Sequence, residues 1–172
     1  MRLEALNAAS RDEATAAFLL CCGSTRWAGR MADARAFTSV EAVQSTADAI
    51  WSTMGPADWL EAFRAHPRIG ERPDAAGLSA WSREEQAGAG FASAAVRHRM
   101  RALNAEYETR FGFVFIVCAT GKSADEMLAI LEERLGHDRE RELAVAAGEQ
   151  SKITRIRLTK LFGPDERRQA HE

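Results

Sequence analysis

The sequence predicts an all-α fold: a single domain built as a bundle of about seven to nine helices with one short extended connector. Three observations carry this. Helix-start signatures recur along the chain, each followed by apolar residues at helical spacing. Only one run, Phe113-Val114-Phe115-Ile116-Val117-Cys118, reads as a strand, and no second run could pair with it. The 172 residues, 46% hydrophobic and without repeats or low-complexity stretches, suffice for one core.

Taken in order, Ser10-Arg11-Asp12-Glu13 reads as a capping box, with a helix from Ala14 to Cys21 and Gly23 at its stop. A short helix is expected from Trp27 to Met31. Thr38-Ser39-Val40-Glu41 opens the next, through Ala42, Ile50 and Trp51 to about Met54. Pro56 suits the first turn of another, carrying Trp59, Leu60 and Phe63. Pro67 ends it, because the residue before a proline is pushed out of the α region. Residues 69–80 are loop-like, with Gly70, Pro73 and Gly77. Ser82 opens one long helical stretch to about Arg110, glycine-rich at Ala87-Gly88-Ala89-Gly90 and broken at Gly112. The apolar run 113–118 is the buried extended connector. Ser123-Ala124-Asp125-Glu126 caps a helix to about Leu135, the last helix spans Arg139 to Phe162, and residues 164–172 form a polar tail.

Composition excludes several function classes. With 23 basic and 25 acidic residues the net charge is −2, against a nucleic-acid binder that works by neutralising phosphates. No stretch approaches the roughly 18 apolar residues of a membrane span. No signal peptide is visible at the N-terminus, and Ala170-His171-Glu172 is not a peroxisomal address. Cys21, Cys22 and Cys118 are odd in number and two are adjacent, so no disulfide framework is suggested. A cytoplasmic location is expected.

His66 stands at a helix end before Pro67, facing a glycine-containing loop. It is a titratable group where catalytic groups concentrate. Position alone nonetheless favours a cap on the helix's last carbonyls. Ser82-x-x-Glu85 is first of all a capping box; a second reading turns Glu85 and Gln86 into a cleft, where a carboxylate and an amide suit the N–H and C=O groups of a ureide. Lys152, Arg155, Arg157 and Lys160 stud the last helix, mostly as its solvated face, and one arginine turned inward could grip a carboxylate with its two-pronged guanidinium; spacing leaves open which. Ala119-Thr120-Gly121-Lys122-Ser123 ends like a phosphate-binding loop but has Ile116 where the first glycine belongs. The histidines and cysteines fall in no metal-ligand spacing, so no metal is expected. Cys118 and the four tryptophans read as core.

Five runs together resemble one family: Glu61-Ala62-Phe63-Arg64-Ala65-His66-Pro67-Arg68-Ile69-Gly70; Trp81-Ser82-Arg83-Glu84-Glu85-Gln86-Ala87-Gly88; Leu103-Asn104-Ala105-Glu106-Tyr107-Glu108; Arg110 through Ala119; and Glu149-Gln150-Ser151-Lys152-Ile153-Thr154-Arg155-Ile156-Arg157-Leu158. In this order, over almost the whole chain, they are similar to 2-oxo-4-hydroxy-4-carboxy-5-ureidoimidazoline (OHCU) decarboxylase. The resemblance implies an all-helical homodimer without cofactor that makes (S)-allantoin from OHCU in uric acid degradation. It implies roles too: His66 catalytic, with Glu85 assisting; Pro67, Ser82, Glu85 and Gln86 in the substrate pocket; the backbone of Phe115, Ile116, Val117, Cys118 and Ala119 against substrate; and Arg157 on its anionic group. Other readings are a hydrolase or isomerase of a related ureide or hydantoin, and a non-enzymatic helical interaction module in which His66 and Glu85 are merely caps.

Overall fold

A computed structural model describes residues 1–69 and 93–163. Its elements are α1 (Leu3–Ala8), α2 (Arg11–Leu19), α3 (Thr25–Asp33), α4 (Val40–Trp51), α5 (Pro56–Arg64), α6 (Ala94–Phe111), α7 (Ala124–Arg134) and α8 (Arg139–Phe162). Among the described residues there is no strand, and the run 113–118 passes between α6 and α7 as a non-helical connector. The all-α expectation is thus met. No described helix is long and apolar enough to cross a membrane.

The capping chemistry is realised. Ser10 and Ser123 each accept from the backbone N–H three residues on, while Glu13 and Glu126 reach back to the cap residue's own N–H. Ser39 caps α4 and Ser24 caps α3. Gly112 closes α6 at φ +80°, a left-handed conformation that favours glycine.

Several boundaries differ from the sequence reading. The chain already forms a turn-and-a-half helix at Leu3–Ala8, whose start lacks a side-chain cap and so left no signature. The expected stretch from Ser82 to Arg110 is interrupted: Ser93 has extended backbone (φ −61°, ψ 158°), and its hydroxyl accepts from Val96 N–H to start α6. The preceding part of that stretch, with Ser82, Glu85 and Gln86, lies outside the described residues, as does the tail 164–172.

The chain divides into two compact units, Met1–Ala62 with the chain from Ser151 onward, and Phe63–Gln150. In the first, α2, α3 and α4 bury one face each. Trp27, Ala28, Met31 and Ala32 follow the helical period on α3, as do Val43, Ala47, Ile50 and Trp51 on α4. Phe18 meets Trp27 and Phe37 edge-on, at centroid distances of 6.0 and 6.3 Å. The Trp27 indole N–H donates to Ala47 O at 3.2 Å, so its burial leaves no orphan donor. Arg35 serves the end of α1, its Nη1 donating to Leu6 O and Ala9 O at 2.8 and 2.7 Å.

The second unit is built on an aromatic cluster. Tyr107 and Phe111 of α6 stack with Phe113 and Phe115 of the connector, and Phe63 meets Phe113 at 5.4 Å. Alternate connector residues supply the rings, so the period-2 pattern survives without a sheet. Each fully buried ring contributes about 1.5–3 kcal/mol. That burial holds a backbone segment that joins no sheet among the described residues inside a helical unit.

Candidate active site: an imidazole held by a buried amide

His66 follows the last turn of α5, and its N–H donates to Phe63 O at 3.1 Å in a tightened turn. Pro67 comes next and prevents further helix. The loop beyond is tied to α6 at two points one turn apart. Asn104 Nδ2 donates to Ile69 O at 3.1 Å, and Glu108 accepts two bonds from Arg68 at 2.5 and 2.8 Å. Arg68 is about half exposed, so this pair fixes loop direction more than it stabilises the fold.

The His66 ring turns to α8. Its Nε2 lies 2.8 Å from Gln150 Oε1, and Gln150 is completely buried. An amide oxygen only accepts, so the ring donates from Nε2, and in the neutral tautomer the lone pair sits on Nδ1. The sequence left a helix-end cap as the readier role for His66; here Nε2 addresses a side chain on another helix instead.

One residue earlier on α8, the Glu149 carboxylate accepts from Cys118 N–H at 2.7 Å. Lys122 Nζ donates to Cys118 O at 2.8 Å. Two residues upstream, Arg134 Nη1 donates to Ile116 O at 2.7 Å. In an extended chain, residues 116 and 118 present their backbone groups to one edge and residue 117 to the other. Among the described residues, the N–H and C=O of Val117 have no hydrogen-bond partner, although Val117 is 5% exposed. A buried backbone N–H or C=O without a partner is costly unless something else meets it.

Arg134 belongs to a buried charge cluster. Glu142 Oε1 accepts from Arg134 Nε and Nη2 at 2.8 and 2.5 Å, and from the Tyr107 hydroxyl. Its Oε2 lies 2.7 Å from His137 Nδ1. The guanidinium also stacks 4.7 Å over the Phe115 ring. Burial, then the bond to the Glu142 carboxylate, pushes the Tyr107 phenol well above its ordinary range.

In the first unit, Arg157 is 1% exposed, whereas Arg155 and Lys152 are exposed and Lys160 half-buried. Arg155 is held outside by Asp48. The inward arginine of the last helix is therefore Arg157. Cys21 and Cys22 are buried free thiols, and burial pushes them up to about 12 and about 11. Among the described residues no group of three potential metal ligands occurs.

The structure thus brings His66 and the connector of Phe115, Ile116, Val117, Cys118 and Ala119 onto consecutive residues of α8, with half-buried Pro67 beside the histidine. Sequence reasoning missed Glu149, Gln150, Lys122, Arg134 and Glu142 as parts of this arrangement. The available signal was polar residues in the buried register: Glu142, Ala146 and Gln150 recur every fourth position on α8, and all are buried.

An all-helical unit that aims one titratable ring beside a pinned, partly unpaired backbone segment has the make-up of an enzyme acting on a small polar molecule. Comparison with known proteins gives this class its family. Residues 7–159 match the family model described as OHCU decarboxylase. The chain is 39% identical to the uric acid degradation bifunctional protein TTL of Arabidopsis thaliana over 147 residues, 83% of this chain and 45% of that one. It is 42% identical to 2-oxo-4-hydroxy-4-carboxy-5-ureidoimidazoline decarboxylase of Amia calva over 98 residues, 55% of this chain and 56% of that one. It thus spans about half the length of these two curated relatives. Among solved structures, an OHCU decarboxylase crystallised in the presence of (S)-allantoin superposes with a TM-score of 0.76 at 36% identity, covering 90% of this chain and 99% of that one. The chain belongs to the OHCU decarboxylase family.

Proposed function

We propose that this chain decarboxylates OHCU to (S)-allantoin and CO₂ in uric acid degradation, as a cofactor-independent, metal-free cytoplasmic homodimer. The observation that carries the reading is the 2.8 Å contact between His66 Nε2 and buried Gln150, beside a connector whose Val117 N–H and C=O have no partner among the described residues.

The substrate's chemistry suits such a site. One ring carbon carries a hydroxyl and a carboxylate and adjoins a C=N carbon bearing the ureido group. When the bond to the carboxyl carbon breaks, its electron pair moves into the imine, and CO₂ leaves. The enol that results, its former imine nitrogen now carrying the negative charge, collapses to the ketone as the hydroxyl gives up its proton; that proton and one taken up from solvent end on the ring nitrogen and on the ureido-bearing carbon. The electron sink belongs to the substrate, so the protein supplies positioning, charge stabilisation and that single stereospecific proton.

His66 carries the proton. With Nε2–H committed to Gln150, Nδ1 is the nitrogen that takes it from the hydroxyl group or gives it to the ring carbon. General acid–base help of this kind contributes roughly 10²–10⁴-fold. The N–H and C=O of Val117 offer one donor and one acceptor to the substrate's own amide groups, Arg157 orients the anion, and Pro67, Ser82, Glu85 and Gln86 contribute to the substrate pocket. Arg157 must grip the transition state more tightly than the ground-state carboxylate, since a grip that persisted would oppose CO₂ departure.

The test is incubation with freshly made OHCU, followed by circular dichroism for (S)-allantoin. Wild-type protein accelerates the appearance of optically active product, and His66→Asn, folded, loses the acceleration. Near-normal turnover in that variant removes His66 from the mechanism. Absence of acceleration by the wild type removes the activity itself.

A further inference from the structure

We propose that Glu149 and Gln150, consecutive on α8, are a positioning pair: Gln150 sets the tautomer and direction of the His66 ring, and Glu149 fixes the Cys118 peptide of the facing connector. The proposal rests on the reading of His66 as the proton carrier.

The geometry is specific. Gln150 is completely buried, and its Oε1 sits 2.8 Å from Nε2. Of the two neutral tautomers only the one protonated at Nε2 satisfies that contact; the other would set a lone pair against the amide oxygen. The contact therefore assigns the basic nitrogen to Nδ1 before any substrate arrives. Glu149 acts on the substrate side. Its carboxylate accepts the Cys118 N–H at 2.7 Å, a charge-assisted bond, and Lys122 Nζ holds the C=O of the same residue at 2.8 Å. With both groups of residue 118 committed to one edge, the alternation of an extended chain turns the N–H and C=O of residue 117 to the other. Neighbouring residues on a helix are related by a fixed rotation and a rise of about 1.5 Å. One rigid element therefore sets the distance between proton carrier and peptide, which a near-attack geometry requires.

Two measurements test this, one of them independent of turnover. Long-range nitrogen–proton correlation spectra of the His66 ring, assigned by their loss in His66→Asn, should show Nε2 protonated and Nδ1 bare near pH 8, and a mixture in Gln150→Leu. A ring protonated at Nδ1 in the wild type, or unchanged in Gln150→Leu, overturns the assignment whether or not OHCU is the substrate. In turnover, Gln150→Leu should lower kcat about 10- to 100-fold with KM little changed, as removal of a ring-orienting partner does elsewhere. Gln150→Glu keeps the shape and the acceptor but sets a carboxylate against the ring, which favours imidazolium. The acid limb of its pH profile should move up by about one unit or more. Glu149→Ala should instead raise KM about tenfold, the loss of one charge-assisted bond, with Glu149→Gln closer to wild type. Wild-type kcat, KM and pH profiles in folded Gln150→Glu and Glu149→Ala would refute the pair. Activity lost in His66→Asn but retained in these variants would leave the histidine's role standing and remove theirs.

Discussion

Replacing Glu142 by alanine should be among the most damaging single changes in the second unit. Its side chain is wholly buried, and it receives Arg134, Tyr107 and His137. Arg134, 5% exposed, would keep its charge with no carboxylate to meet it. Removing one partner of a buried pair costs about 3–5 kcal/mol, and the orphaned Tyr107 hydroxyl alone is worth about 1–3. The two losses share one acceptor and do not add, so a total of about 4 kcal/mol is expected. That is a large share of a typical stability of about 5–15 kcal/mol. With a urea slope of about 2 kcal/mol/M, the far-UV unfolding midpoint at neutral pH should fall by about 2 M. A double variant, Arg134→Met with Glu142→Leu, should lose much less, because a buried pair replaced by apolar groups of similar size is often neutral. A midpoint shift below about 0.5 M in Glu142→Ala, with an unchanged slope, would refute the reasoning. So would a double variant as unstable as the single.

Further predictions follow from the buried titratable groups and from Arg157. Tyr107 is the chain's one tyrosine, so tyrosinate absorbance reads it alone. Its native proton is held beyond the unfolded value of about 10, so above about pH 10 the unfolded chain binds fewer protons and stability falls as pH rises. Tyrosinate should appear together with loss of helix, and its appearance in fully folded protein would contradict the burial. Cys21 and Cys22, raised to about 12 and about 11 by burial, should resist thiol reagents until denaturant is added. Rapid labelling of either in native protein would show that the first unit opens readily. Arg157→Lys keeps the charge and loses the two-pronged grip, so KM for OHCU should rise; an unchanged KM removes Arg157 from substrate binding.

What the sequence made legible was local. The boxes at Ser10 and Ser123 and the glycine stop at Gly112 are decided by residues within a turn of one another, and each is found where it was read. Leu3–Ala8 was illegible because its start has no side-chain cap; what holds its far end is Arg35, 29 residues from Leu6, which no local pattern encodes. The connector 113–118 was read correctly because its bulk and β-branching lacked any partner strand. The holders of its backbone, Arg134, Lys122 and Glu149, were not legible, since side chain-to-backbone bonds across 4 to 31 residues leave no periodicity. His66 was singled out by resemblance, whereas its local position pointed to a cap. Gln150 stood inside a quoted motif without a role, because a single buried polar residue gains meaning only from what it faces.

Glu149 and Lys122 grip residue 118 through its main-chain N–H and C=O. Every amino acid but proline carries the same N–H, and all carry the same C=O. What these two side chains hold is therefore the same for any residue but proline. The thiol of Cys118 can give way to another small group without altering the clamp, whereas proline there deletes the donor that Glu149 holds. The two bonds at residue 118 thus tolerate side-chain drift at that one position, whereas Phe113 and Phe115 on the same connector are held by their buried rings.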